Sequence, residues 1–316
     1  MQPLQSITCP TGSAAVSAIR GLIKMDKKVQ LKRLIIYLVF AFGLAWGYEF
    51  FFIGNGFVWD TNNPDSTKLI SLVSLCMLAP SIAHVLARAL TKEGFKPAGK
   101  DSMMLGINLD DGKWKVFLFA IFIPLVYSAS HDILLCLTTR GLFDTSVLPD
   151  SGMPNSMAIL IPVSAVLNGV IVSFAAFGEE FGWRAYMMPK LKALMGRYPA
   201  IIVGGVIWGL WHAPLTCVGH NFGTDYPGFP YVGIIIMCLY CILLGGILTY
   251  VTEKTGSVWP AAFLHGVNNA SPSILAAFMN AEKLSQVSLF KQIVCMFIPF
   301  VLICLILELR GRKKLM

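Results

Sequence analysis

The chain has 316 residues, of which 56% are hydrophobic and only 13% charged, and its mean hydropathy is +0.68. Such usage excludes an ordinary soluble globular domain and points to a polytopic membrane protein. The formal net charge of +8 reads as membrane topology and attraction to anionic lipid, and it calls for no nucleic acid partner.

In chain order, residues 1–33 hold no continuous apolar core of signal-peptide type, so no cleavage is expected. They read as a cytoplasmic N-terminal extension without fixed structure, with Met25 as an alternative start to Met1. Residues 34–310 then read as a single transmembrane helical domain. Crossing a hydrocarbon core takes about 20 helical residues, and apolar stretches of that order recur near 34–54, 69–90, 114–137, 157–181, 198–218, 229–252, 257–280 and 290–309. No alternation of β-barrel type is present, so the fold class is all-α, with about eight transmembrane helices. Of the Lys and Arg residues, only Lys68, Arg140, Lys283 and Lys291 fall outside the loops on one side; those loops are therefore cytoplasmic, as are both termini. The cysteines read as small apolar residues, and the lone Cys238-x-x-Cys241 inside a span is weak support for zinc or redox chemistry.

The fourth stretch ends in "AAFGEEFGWRAYMMPKL" after a run with no charge from Ser151 to Gly178. A carboxylate at membrane depth costs roughly 2.5–3.5 kcal/mol near a helix centre, so it persists only when paired or used. Glu180 and Arg184 are four apart and can pair on one helical face. Glu179 is rotated by about 100° from Glu180 and is left free. "VIWGLWHAPL" adds His212 with Trp208 one turn earlier, and "WPAAFLHGVNNASP" adds His265 with Asn268 and Asn269 at i+3 and i+4. A glutamate beside a histidine takes a proton from water, while a histidine and an asparagine amide offer donors to an oxyanion. Such a set hydrolyses an amide without a serine or cysteine nucleophile. A single intramembrane His or Asn is more often interhelical glue, but three such constellations compensate one another best around a shared wet cavity. His84 and the His131, Asp132 pair read as helix contacts, His220 and Asp225 as loop residues satisfied by water, and Glu49 as a residue able to reach the outer interface.

"EEFGWR", "WGLWH" and "HGVNN", in this order and spacing, resemble the E-E-x-x-x-R, F-x-x-x-H and H-x-x-x-N motifs of the CPBP intramembrane proteases. That family includes CAAX-processing endopeptidases and bacterial proteins linked to bacteriocin self-immunity. The resemblance places the motif-bearing core at about 157–280. It implies Glu179 as the water-activating base assisted by His212, His265 and Asn269 as oxyanion stabilisers, and Glu180 with Arg184 as the supporting ion pair. Trp208 stands where the second motif usually has Phe, which touches packing and keeps an aromatic wall.

The reading is thus a multi-pass intramembrane endopeptidase, in the plasma membrane if the chain is bacterial. Its partners are membrane lipid and a peptide or protein substrate cleaved in or near the bilayer. No cofactor is required in the favoured mechanism; zinc stays open, since two His with a Glu could bind it, although H-E-x-x-H is missing. The alternatives are a non-catalytic immunity or peptide-binding protein and, further off, a proton-coupled transporter, which calls for symmetric helix interruptions that the chain lacks.

Overall fold

A computed structural model describes residues 12–60, 64–99, 101–107, 109–271 and 273–312. The expectations for residues 1–11, including Cys9, and for Lys100, Lys313 and Lys314 lie outside the described residues. The elements are α1 (Gly12–Gly54), α2 (Pro64–Val73), α3 (Ala79–Thr91), α4 (Trp114–Thr138), α5 (Val147–Asp150), α6 (Leu160–Gly182), α7 (Met188–Met195), α8 (Arg197–Trp211), α9 (Ala213–Thr216), α10 (Tyr231–Thr255), α11 (Trp259–Ala270), α12 (Ala281–Ser285) and α13 (Leu289–Arg312). A 3₁₀ turn, Ser74–Leu78, joins α2 to α3, and a π-helical turn, Trp183–Met187, joins α6 to α7. Among the described residues there is no strand, only an isolated bridge between Phe143 and Met279.

Among the described residues, six helical stretches are long and apolar enough to cross a membrane: Asp26–Gly54, Lys68–Thr91, Trp114–Thr138, Asn155–Met195, Tyr231–Thr255 and Leu289–Leu309. The expected spans at 198–218 and 257–280 are helical but shorter. α8 has 15 residues and α11 has 12. His212 ends α8 two residues before Pro214, and Ser271 ends α11 just before Pro272, a position that disfavours helix. The helix expected to start at 34 begins at Gly12, its apolar part anchoring a longer rod.

Lipid supplies no hydrophobic drive between helices, so close packing by small residues has to. α6 and α11 touch backbone to backbone: a Cβ at Gly169 would lie 2.5 Å from Val267 Cα, and one at Gly266 would lie 2.4 Å from the Gly169 carbonyl oxygen. α8 meets α10 in the same way through Gly205 on Ile242 and Gly209 on Cys238, at 2.5 and 2.4 Å from the respective Cα atoms. Gly178 and Gly182 admit the carbonyls of Met77 and Pro80 at 2.6 Å. These contacts set the mutual positions of the helices that carry the polar motifs.

Polar side chains lock the same contacts. Ser81 Oγ donates to the Gly178 carbonyl at 2.7 Å, His84 Nδ1 to that of Phe181 at 2.7 Å, and Arg88 Nε to His84 Nε2 at 2.8 Å, as expected of a helix contact. Asp132 accepts from Ser273 Oγ and from the amides of Ile274 and Leu275, which ties the chain after α11 to α4. At the end expected to be cytoplasmic, Glu93 gathers Lys190 at 2.9 Å, Arg33 at 3.6 Å and the Tyr186 hydroxyl. Burial pushes the Glu93 carboxyl up, but Tyr186 and Lys190 outweigh it and hold Glu93 below its ordinary value. All described cysteines are free thiols.

Leu34, Tyr37, Ala41, Ala45 and Glu49 form one buried stripe of α1. Glu49 is 0% exposed, which corrects the expectation that it reaches the interface: its position on the stripe turns it into the bundle.

Replacing Gly266 by Ala inserts a methyl group where the Gly169 carbonyl stands. We expect a loss of about 1–3 kcal/mol, read as a lower unfolding midpoint in detergent, because neither backbone can retreat.

Candidate active site

The polar residues singled out by the sequence come from α6, the π-helical turn, the end of α8 and α11. Glu179 is 2% exposed and Glu180 0%. A carboxylate this deep needs donors, and the two adjacent residues find different ones.

Glu180 is shared. Arg184 Nε faces its Oε2 at 3.2 Å, Arg184 Nη1 donates to its Oε1 at 3.4 Å, and His265 Nδ1 lies 2.8 Å from the same Oε1. The ion pair expected from the i,i+4 spacing is present, and it extends across to α11. A proton on both nitrogens of His265 therefore has a counter-charge, with Nε2 pointing away from Glu180.

Glu179 is less free than its rotation suggests. Its Oε2 accepts the indole N–H of Trp208 at 2.7 Å and that of Trp183 at 3.3 Å. Oε1 has no donor among the described residues. Trp208 does more than keep an aromatic wall: the guanidinium carbon of Arg184 lies 4.1 Å over its ring, and the His265 and His212 rings lie 5.4 and 5.9 Å from it. One indole thus touches residues from every motif. Phe at this position would supply the face but no N–H.

His212 Nδ1 lies 2.8 Å from the Trp208 carbonyl, an obligate acceptor, so Nδ1 carries the hydrogen and Nε2 of the neutral ring keeps its lone pair. On its other side stands a residue that sequence reasoning assigned to the outer loop. His220 stacks at 6.3 Å and 14° on His212, with Trp59 at 4.1 Å, and its Nδ1 is buried without a partner among the described residues. The ring is only half-buried, but Nδ1 lies under the loop, out of the reach of solvent that the sequence led us to expect for it. Asp225 is exposed as expected. Burial pushes His220 down to about 3, and the neighbouring His212 adds to the shift.

At the end of α11 the two asparagines divide. Asn268 Oδ1 accepts from the hydroxyls of Tyr127 at 2.6 Å and Tyr240 at 2.7 Å, and its Nδ2 donates to Asn269 Oδ1 at 3.0 Å. Asn269 is exposed, and its side-chain carbonyl accepts from Asn268. Trp183, His220, Tyr127 and Tyr240 were missed by sequence reasoning. Only Trp183, one turn after Glu179, carried a spacing signal.

Among the described residues no group of three His, Cys, Asp or Glu side chains is arranged to hold a metal ion. Nδ1 of His212 and of His265 is engaged, which leaves Nε2 as the ring atom available to a ligand, and Glu179 takes two indole donors on one oxygen. A cavity of about 360 Å³, lined by Met104, Met188, Lys192, Thr249 and Glu253 among others, reaches Arg184 from behind the ion pair and does not border Glu179.

Residues 161–271 match the family described as type II CAAX prenyl endopeptidase Rce1-like. The chain is 26% identical over 121 residues to the CAAX prenyl protease 2 of Methanococcus maripaludis, covering 38% of this chain and 45% of that protein. It is 23% identical over 209 residues to the Lysostaphin resistance protein A of Staphylococcus haemolyticus, covering 65% and 49%. The chain spans about half the length of these curated relatives.

Glu180→Gln strands Arg184 and His265, and we expect a loss of about 3–5 kcal/mol in detergent unfolding. The double variant Glu180→Leu, Arg184→Met should lose less than the sum of its singles. His220 adds a pH signature. Its folded value near 3 lies below the unfolded 6.5, so the stability it contributes is full above pH 6.5 and declines as pH falls toward 3. His220→Phe should flatten the unfolding midpoint across that window.

Proposed function

On the premise that residues 161–271 form a core of the CPBP family, we propose that this integral, multi-pass membrane protein is an intramembrane endopeptidase of CAAX-processing type. The observation that carries the proposal is Glu179, buried at 2% exposure, with one oxygen fixed by two indole donors and the other without a donor. An oxygen so held is a base waiting for a water.

In the proposed reaction Oε1 of Glu179 takes a proton from water, assisted by the free Nε2 of His212, and the hydroxide attacks the peptide carbonyl. The oxyanion is met by His265, whose Nδ1 rests on Glu180, and by the N–H₂ of Asn269, whose carbonyl is held by Asn268. Tyr127 and Tyr240 hold Asn268, which holds Asn269 in turn. No metal enters any step. The substrate is a peptide or protein with its cleavage site in or near the bilayer; the name of the methanococcal relative favours a lipid-modified tail, and a bacterial host would place the enzyme in the plasma membrane. The staphylococcal relative, whose match covers more of this chain, is named for resistance to lysostaphin; a second reading is a non-catalytic one, in which the same site holds a peptide without cutting it.

Cleavage of a quenched peptide by purified protein in liposomes separates the two readings. Glu179→Gln should lower kcat about 10²–10⁴-fold while folding normally. Unchanged turnover in that variant, or none in well-folded wild type, would favour the holding role. Trp208→Phe, which keeps the ring and removes the N–H, should lower kcat about 10–100-fold with KM little changed, the size of a hydrogen bond to a charged group.

A further inference from the structure

Hydrolysis by Glu179 moves one proton off water, and the departing amine needs one as well. Glu49 belongs to none of the motif helices, yet it is 0% exposed and neither of its oxygens meets a hydrogen-bond donor in good geometry among the described residues. The Cys76 thiol stands beside it, and Glu179 is within electrostatic reach. The turn that carries Cys76 is pressed against the site, since Gly178, next to Glu179, admits the Met77 carbonyl at 2.6 Å from where a Cβ would stand. Farther along the same stripe, the Tyr37 ring lies 5.7 Å from that of Trp183, whose indole donates to Glu179. α1 is thus a wall of the Glu179 site. A carboxylate without a donor is costly in such surroundings, and a second negative charge near Glu179 makes it costlier. In its neutral form Glu49 is a proton donor beside the base.

We propose that Glu49 is a further catalytic residue of this site, the neutral carboxyl that protonates the leaving amine; this rests on the endopeptidase reading above. The protons then balance. Water gives one to Glu179 as its oxygen bonds to the carbonyl carbon, the C–N bond breaks, and the amine nitrogen takes the proton of Glu49. Glu179 is left neutral and Glu49 ionised, and a proton passing from the first to the second through water restores both. The arrangement has the logic of two carboxyls sharing one proton.

The leaving group tests it. Wild type, Glu49→Gln, Glu49→Asp and Glu179→Gln are compared on a peptide amide and on the p-nitrophenyl ester of the same acyl peptide, whose leaving group departs without a proton. Glu49→Gln should lose about 10²-fold or more on the amide and less than about tenfold on the ester, as befits a general acid. Glu49→Asp should keep part of the amide activity, and Glu179→Gln should lose both substrates. Unfolding midpoints in detergent should not fall in Glu49→Gln, since a buried orphan acid contributes little to stability. Full amide turnover in Glu49→Gln, or equal losses on amide and ester, would overturn the role of Glu49 and leave Glu179 standing. Equal cleavage by wild type and Glu179→Gln, or none by wild type, would sink the endopeptidase reading itself and the role of Glu49 with it.

Discussion

The structure depends on how a carboxylate is kept at depth in an apolar bundle. Glu180, fully buried, is compensated by Arg184 on its own helix and by His265 on α11. The partner from α11 must therefore stand at a fixed distance, and it can do so only because Gly169 and Gly266 let the two backbones meet. Charge and close packing impose the same geometry: loosening the helices strands the charge, and removing the charge leaves His265 unheld.

Around that anchor the side chains form a linked set. Trp208 bonds Glu179 through its nitrogen and carries Arg184 on its face, so the two adjacent carboxylates are connected through one ring although they share no direct partner. The result is two acidic residues of the same type in different states of engagement. Glu180 has Arg184 against both oxygens and His265 on one of them, while Glu179 has indole donors on one oxygen and none on the other. Environments that separate like groups in this way are how acid–base roles are divided at a site.

Much of this was legible in the sequence, and the reasons can be stated residue by residue. The Glu180–Arg184 pair follows from helical spacing, and His212 and His265 stood out because polar residues are rare in apolar runs. What the sequence could not convey was partnership across helices. Nothing in the spacing of Tyr127 or Tyr240 tells that both hydroxyls converge on Asn268, and nothing marks Glu49 as facing inward except the stripe it shares with Tyr37, Ala41 and Ala45. His220 was misplaced for a related reason: a loop residue is assumed to be wet, and here the loop folds over its own helix end. Span length also escaped hydropathy, which registers apolarity and not where a helix stops; α8 and α11 end early, and the residues at or just before those ends, His212 and His265 with its asparagines, are those the chemistry uses.

The π-helical turn at Trp183–Met187 has an effect on numbering that reaches beyond its five residues. α6 and α7 form one rod read in two registers, because each residue after the turn is set back by about 100° relative to an uninterrupted α-helix. In that second register Lys190 comes to Glu93 and Tyr186 to the same carboxylate, so the rod seals its end against α1 and α3. A related chain with one residue fewer between Arg184 and Lys190 would close the turn into an ordinary α-helix, keep every motif letter intact and still present the same side of α7 to its neighbours. A one-residue gap in the alignment would then overstate how different two such proteins are beyond the site.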